Sequence, residues 1–154
     1  MSLDVQHAAN NAASGEIARN CLLTRTRQIS RVLTAIYDDA LRPFDINASQ
    51  FTLLVLIMEF GPLSRSDLGR RNCHDRTTLT RNLRPLMLRG LVREDAPAGN
   101  GRSRLLSVTQ QGHGLLHDAA PGWSAAQTQA KALVGTVGAD ALMGIAGMLP
   151  YRTS

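Results

Sequence analysis

The chain has 154 residues, of which 44% are hydrophobic and 19% are charged, with a formal net charge of +5. This length suits one domain with a real core, and the composition excludes a disordered chain. No unbroken run of about 18 apolar residues is present, and the N-terminal residues lack the layout of a signal peptide, so neither a membrane span nor secretion is expected. Two cysteines, Cys21 and Cys73, do not make a disulfide framework, so a reducing cytoplasm is the expected location.

Positive charge is concentrated in the middle of the chain. The segment from Ser64 to Leu106 contains ten arginines and four acidic residues, a net charge of +6. In the whole chain, Lys131 is the only lysine among 17 basic residues. Such a segment is typical of a surface that meets phosphates. The planar guanidinium group also suits bidentate contact with guanine or phosphate. The charge pattern therefore favours a nucleic-acid partner.

The first predicted element is a long helix. Residues 1–14 are small and polar, which predicts a flexible tail. Apolar side chains then recur at helical spacing from Glu16 to Leu41. The helix is expected to end before Pro43, because the residue that precedes a proline avoids helical backbone angles.

Two shorter helices are predicted next, and each is opened by a capping residue. Asn47, with a glutamine three residues later, begins a mostly apolar helix that ends before Gly61-Pro62. Ser64, with an aspartate three residues later, begins the short helix SRSDLGRR in the same way. A few turn residues lead to the following helix.

The segment DRTTLTRNLRPLMLRG, residues 75–90, predicts a helix with an unusual polar face. Asp75 is the expected N-cap, leucines at i, i+4 and i+7 form an apolar stripe, and Gly90 stands where a left-handed C-terminal residue is expected. Pro85 is expected to kink the helix, because proline lacks the N–H of the helical hydrogen bond. A solvated face normally mixes charges of opposite sign, so the missing negative partner is predicted to be another molecule. The opposite face carries Thr77, Thr80, Arg81 and Arg84.

A β-hairpin and two further helices complete the predicted order. Residues 91–94 and 104–108 have the composition of strands, and the Asn-Gly pair between them favours a hairpin turn. Thr109 is predicted to cap a long helix that Pro121 bends, and a glycine-rich pause at residues 135–138 precedes the last helix. The predicted fold is therefore mainly α with a small β-hairpin.

The order of these elements resembles the MarR family of bacterial transcriptional regulators, across roughly residues 17–149. The segments that carry the resemblance are YDDALRPFDINASQFTLL, GPLSRSDLGRR, DRTTLTRNLRPLMLRGLV and NGRSRLLSVTQQG. The family's wing pattern is Asp-x-Arg, a short strand and then Leu-Thr-x-x-Gly. Here the arginine matches at Arg102, the last part corresponds to Val108-Thr109-Gln110-Gln111-Gly112, and Asn100 replaces the acidic residue.

The resemblance implies a winged helix-turn-helix lobe and a helical dimerisation region formed by both chain ends. The first and last predicted helices also carry apolar faces too wide for one small lobe, and a two-fold homodimer would bury them. The expected organisation is a flexible tail over 1–14, the first helix of the dimerisation region over 15–45, the DNA-binding lobe over 46–108 and the C-terminal dimerisation helices over 109–154.

For function, the resemblance implies a ligand- or oxidant-responsive repressor that binds double-stranded DNA as a homodimer at a pseudopalindromic operator. Its recognition helices would enter successive major grooves, about 34–36 Å apart. The alternative is a helical dimeric ligand- or protein-binding module of the same fold that does not bind DNA. No cofactor is implied, and a small-molecule effector is a candidate partner. The operator, the regulated genes, the effector and its pocket, and repression versus activation all stay open.

The predicted DNA contacts fall on three elements. We expect the recognition helix to read base edges in the major groove, and the wing to reach the minor groove and phosphates. These residues are Arg76, Thr77, Thr78, Thr80, Arg81 and Arg84 on the recognition helix, Asn100, Arg102 and Arg104 in the wing, and Ser64 and Arg65 at the start of the preceding helix.

Two other groupings have the residue types of reactive sites. Cys73-His74-Asp75 contains a nucleophile, a base and an orienting acid, but consecutive residues in a tight turn cannot align in series, so no catalytic residue and no enzyme activity are predicted. His113 and His117 have a zinc-compatible i, i+4 spacing but lack further ligands, so no metal site is predicted.

Cys21 and Cys73 are candidate redox residues. Cys21, on the first helix, is expected to be a buried and inert thiol, although some MarR-like peroxide sensors carry a reactive cysteine in that region. Cys73 precedes the recognition helix, where the neighbouring histidine and arginines favour a reactive thiolate and Asp75 opposes it. Which of the two would respond to an oxidant stays open.

Overall fold

A computed structural model describes residues 13–96 and 104–149. Within these ranges the chain is mainly α-helical with one antiparallel hairpin, which confirms the predicted fold class. The hairpin pairs β1 (Val92–Asp95) with β2 (Leu105–Val108). The helices are α1 over residues 13–20, α2 Leu22–Leu41, α3 Ala48–Phe60, α4 Arg65–Arg71, α5 Arg76–Leu88 and α6 Gln110–Met148, with a 3₁₀ turn Arg42–Phe44 before α3.

Contacts divide the chain into two units, with the boundary between Ala35 and Ile36 inside α2. The second unit contains the hydrophobic core. Each core side chain is at most 9% exposed, and burying one leucine contributes about 1.5–3 kcal/mol. This core fixes the orientation of α4 and α5. Its fully buried leucines are Leu41, Leu53, Leu54, Leu68, Leu83, Leu86, Leu91 and Leu106.

The helices of the second unit begin at the predicted caps. The side chain of Asn47 accepts from the N–H of Gln50, and the Gln50 side chain accepts from the N–H of Asn47, which makes a complete capping box. Ser64 accepts from the N–H of Asp67 at 3.1 Å. Its hydroxyl donates to the Asp67 carboxylate at 2.7 Å, so one half of the capping box forms there. Thr109 caps α6.

One helix break was not predicted. The first helix is interrupted at Cys21, between α1 and α2. Pro85 and Pro121 lie inside α5 and α6, because each proline removes one helical hydrogen bond while the surrounding turns keep theirs. The kink at Pro85 and the bend at Pro121 stay predictions. In the predicted glycine-rich interruption of α6, the non-helical residue is Gly135, with a φ of 73° and a ψ of 165°.

The C-terminal end of α5 closes through a left-handed glycine. Gly90 has a φ of 68°. Its N–H donates to the carbonyl of Met87 at 3.0 Å, and the N–H of Leu91 donates to the carbonyl of Leu86 at 2.9 Å. These two bonds form a Schellman motif, in which the left-handed position favours glycine.

The C-terminal end of α4 closes in the same way, but with a cysteine. Cys73 has a φ of 50°. Its N–H donates to the carbonyl of Arg70 at 3.2 Å, and the N–H of His74 donates to the carbonyl of Gly69 at 2.9 Å. The left-handed conformation costs a residue with a side chain roughly 1–2 kcal/mol. The turn between α4 and α5 is therefore held in a strained conformation.

We expect Cys73→Gly to raise the free energy of unfolding by about 1 kcal/mol, because relief of this strain exceeds the extra backbone entropy that glycine loses on folding. Urea denaturation followed by circular dichroism measures the change. Cys73→Ala is the matched control, since it removes the thiol and keeps the strained side chain. Equal midpoints for the two variants would contradict the argument.

The C-terminal half of α6 is exposed and apolar. Its last buried residue is Ala130, whereas Met143 is 71% exposed and Met148 is 76% exposed. By length and composition alone, α6 contains an 18-residue window apolar enough to cross a membrane, with a mean hydropathy of 1.2. The sequence prediction missed this window because its hydropathy comes from closely spaced alanines and aliphatic residues rather than from an unbroken run.

Candidate nucleic-acid interface

Helix α5 presents a threonine and arginine face to solvent, because its leucine stripe is buried. Leu79, Leu83 and Leu86 are at most 4% exposed and pack into the core. The helical period then places the remaining positions on the outer face. The exposed residues of this face are Arg76, Thr77, Thr80, Arg81 and Arg84, and they line one shallow surface groove together with Pro85 and Leu88.

Asp75 fixes the first turn of α5. Its carboxylate accepts from the N–H of Thr78 at 2.9 Å and from the hydroxyl of Thr78 at 2.7 Å. These two bonds hold the pKa of Asp75 below its ordinary value. Thr78 is half-buried and its hydroxyl is bonded to the cap, so this hydroxyl is less available for DNA than that of Thr77. The hydroxyl of Thr80 donates to the carbonyl of Arg76 at 2.8 Å and keeps its lone pairs for an outside donor.

The arginines of the basic segment fall into two groups. Five of them form ion pairs with acidic residues, and Arg71 stacks over the ring of Phe60 at 4.1 Å. Within the described part of the chain, the side chains of Arg76, Arg81 and Arg84 have neither an ion pair nor a hydrogen bond. Among the described arginines of this segment, those without an internal partner thus lie on the outer face of α5. The paired arginines are Arg65, Arg70, Arg89, Arg93 and Arg104.

Glu94 on β1 contacts two arginines, one on α4 and one directly before β2. This residue was not identified from the sequence. Its two carboxylate oxygens accept from Nε and Nη2 of Arg65, at 2.7 and 3.0 Å. Nη2 of Arg104 donates to the Glu94 carbonyl at 3.1 Å, and Nε of Arg104 lies 3.7 Å from the Glu94 carboxylate. The hydrogen bond from Arg65 lowers the pKa of Glu94. Its position in the sequence, as an acidic residue on a predicted strand of a mostly basic segment, could have identified Glu94 as a partner for the arginines.

The other predicted DNA-contact residues have different environments. Ser64 is half-buried and occupied as the cap of α4. The Arg104 side chain, directly before β2, is 66% exposed. Asn100 and Arg102 lie outside the described residues. The structure thus places Arg65 and Arg104 beside one carboxylate, next to the start of α4.

Cys73, His74 and Asp75 do not form a catalytic series. The Asp75 carboxylate is bonded to Thr78, while the His74 ring lies 3.2 Å from the side-chain nitrogen of Asn72. Burial lowers the pKa of His74. In the described ranges, no group of three or more His, Cys, Asp or Glu residues could hold a metal ion.

Cys21 is partly exposed, which corrects the expectation of a buried thiol. It lies at the break between α1 and α2, and its carbonyl accepts from the N–H of Arg25 at 3.1 Å. Hydrogen bonds from the Thr24 side chain and then the Thr24 backbone lower the pKa of the Cys21 thiol. A helix N-terminus favours a thiolate, so this position differs from an inert core cysteine.

Two helices joined by a tight turn, followed by an antiparallel hairpin, define a winged helix-turn-helix protein. The MarR family model matches residues 44–103. The transcriptional regulator MosR of Mycobacterium tuberculosis, solved in complex with DNA, is 37% identical, with 75% of this chain and 84% of that chain aligned and a TM-score of 0.67. The chain belongs to the MarR family of transcriptional regulators.

Two further solved structures share the fold. A mutant of Escherichia coli MarR complexed with operator DNA is 18% identical, covering 84% of this chain and 94% of that chain, with a TM-score of 0.74. A MarR family protein of M. tuberculosis in complex with salicylic acid is 22% identical, covering 82% and 93%, with a TM-score of 0.62. The comparison with curated proteins found no match.

Proposed function

We propose that this protein is a repressor that binds a pseudopalindromic operator in double-stranded DNA as a homodimer in the cytoplasm. The observation that carries the proposal is the outer face of α5, where three arginines have no acidic partner among the described residues. DNA supplies the missing negative charge. The relatives solved with DNA support this function. The alternative, a dimeric module of the same fold that does not bind DNA, leaves that charge without a partner.

In this proposal α5 lies in the major groove. Arg81 and Arg84 reach base edges from the middle of the helix, and the residues of its first turns, Arg76, Thr77, Thr78 and Thr80, lie closer to the backbone and neighbouring bases. Ser64 and Arg65 approach a phosphate from the start of α4. Asn100, Arg102 and Arg104 place the wing at the minor groove.

The proposed organisation follows from these roles. The dimer would bury the exposed apolar residues of α6, and the first helices would join the same region. The proposed boundaries are a tail over 1–14, a first dimerisation segment over 15–45, a DNA-binding lobe over 46–108 and a second dimerisation segment over 109–154.

Selection of bound duplexes from a random pool, at physiological salt, tests the proposed function. We expect enrichment of one motif with two inverted half-sites whose centres lie about one helical turn apart. A pool that remains random after repeated rounds, with folded protein, would favour the module that does not bind DNA.

The wing contributes sequence-independent affinity in this proposal. Arg102→Ala is expected to reduce the dependence of log affinity on log salt concentration by about 0.9 for each phosphate that the side chain no longer neutralises. Fluorescence anisotropy titrations at several salt concentrations measure that slope. The control is Arg31→Ala, which removes one positive charge from an exposed position on α2, distant from Arg102 in sequence. Equal slopes for wild type and Arg102→Ala would remove the wing arginine from the interface.

We further propose that an oxidant or a small-molecule ligand releases the DNA. The lowered pKa of Cys21 and the strained turn at Cys73 are the two features that support an oxidant. Oxidation of Cys73 would add bulk where the turn must stay tight. The relative solved with salicylic acid supports a small-molecule ligand instead.

Operator binding before and after mild peroxide distinguishes these mechanisms. Release by peroxide in the wild type, lost in Cys21→Ser or in Cys73→Ser alone, would identify the sensing thiol. If the wild type keeps its DNA after mass spectrometry has shown both thiols oxidised, the oxidant response is wrong and a small-molecule ligand remains.

A further inference from the structure

Glu94 connects three parts of the DNA-binding lobe at one half-buried carboxylate. Its side chain is 11% exposed, although it belongs to a strand of the wing. Arg65 comes from the first turn of α4, and Arg104 directly precedes β2. The Sδ atom of Met87, on α5, lies 3.5 Å from Nη2 of Arg65 and completes the surroundings of this ion pair.

The geometry leaves each arginine only partly available to another anion. Two of the donor nitrogens of Arg65, Nε and Nη2, are occupied by the Glu94 carboxylate in a bidentate pair. Arg104 is also held at Glu94, through the carbonyl and the carboxylate. The outward arginines of α5 have no such partner in the described ranges. The lobe thus has free arginines on the recognition helix and restrained arginines beside it.

We propose that Glu94 is a specificity-determining positioning residue, which restrains Arg65 and Arg104 and so limits sequence-independent binding to DNA phosphates. Phosphate contacts supply affinity for any duplex, whereas base contacts distinguish sequences. Holding two guanidinium groups on an internal carboxylate lowers affinity for random DNA, while α5 remains free to read bases. This inference rests on the proposed DNA-binding function.

Glu94→Gln tests the restraint directly, because the amide keeps the shape of the side chain and loses the charge that holds the arginines. On a random duplex we expect tighter binding. The slope of log affinity against log salt should steepen by about 0.9 for each arginine that newly neutralises a phosphate, and by about 1.8 when both do. Between 200 and 50 mM salt, each such arginine then adds roughly a further three- to fourfold increase in affinity. The ratio of operator affinity to random-DNA affinity is expected to fall.

Two controls separate the restraint from a simple change of net charge. Glu59→Gln, on the exposed end of α3, removes the same charge from a residue that pairs with neither Arg65 nor Arg104. It should leave the slope unchanged. In an Arg65→Gln/Arg104→Gln background, Glu94→Gln should lose its effect on the slope, because the arginines that it would release are gone. Circular dichroism checks the fold of each variant.

An unchanged slope in Glu94→Gln, the same change in Glu59→Gln, or weaker binding to random DNA would each overturn the inference. If Glu94→Gln does not fold, Glu94→Asp keeps the charge and shortens the reach to Arg65, and a slope equal to wild type would then overturn it. The random duplex keeps this test separate from the proposed function. If selection enriches no motif while Glu94→Gln steepens the slope, the operator proposal fails and the restraint holds.

Discussion

Removal of residues 139–154 is expected to lower operator affinity by about 10²- to 10⁴-fold, because binding of the second half-site is intramolecular only while two lobes are joined. The truncated chain keeps its DNA-binding lobe, since the last buried residue of α6 is Ala130. The residues removed carry the exposed apolar side chains of the last part of α6, including Met143 and Met148. Analytical ultracentrifugation and operator titration measure assembly and affinity on the same samples.

Single substitutions make this test more specific. Met143→Asp and Met148→Asp place a charge on the exposed apolar surface of α6 and are expected to give monomers with the same loss of operator affinity. Asp140→Asn lies on the same helix, changes a polar residue and should keep the dimer. A stable monomer that still binds the complete operator as tightly as wild type would refute the proposed dimer.

Arg81→Ala is expected to cost about 1–3 kcal/mol of operator binding, a factor of roughly 5–150 in affinity, and to relax the preference at one base pair. Arg81 lies in the middle of the exposed face of α5, one turn after Thr77, and has no ion pair among the described residues. A bidentate contact with guanine would use the two outer nitrogens of its guanidinium group. Selection with the variant identifies the base pair whose preference is lost.

Arg31→Ala provides the control for charge, because this exposed arginine lies on α2 outside the lobe. It is expected to change operator affinity and random-DNA affinity by the same small factor. Equal weakening of Arg81→Ala on the operator and on random DNA would mean that Arg81 contacts only phosphate.

The positions of the helices in the lobe could be predicted because local rules agree with the core. Asn47, Asp75 and Thr109 each occur one residue before the helix that they cap. The leucines at 79, 83 and 86 determine which face of α5 is buried, and so which face carries the arginines. For these elements, capping, periodicity and burial all indicate the same structure.

The partners of individual arginines could not be predicted, since they depend on contacts between residues distant in sequence. Arg65 and Glu94 are 29 residues apart, and no local pattern pairs them. From the sequence alone, Arg65 and Arg81 were therefore both expected to be free to contact DNA. The burial of Cys21 was also predicted wrongly, because the apolar periodicity continues across the helix break that leaves this thiol partly exposed.

The comparison of operator and random-duplex affinities at about 150 mM salt tests the central claim most directly. Sequence-specific regulators bind their sites typically 10³-fold or more tightly than random DNA. We predict a ratio of at least about 10³ for the selected operator, with a marked decrease in Arg81→Ala. A ratio near one for the folded wild-type protein would contradict a sequence-specific regulator.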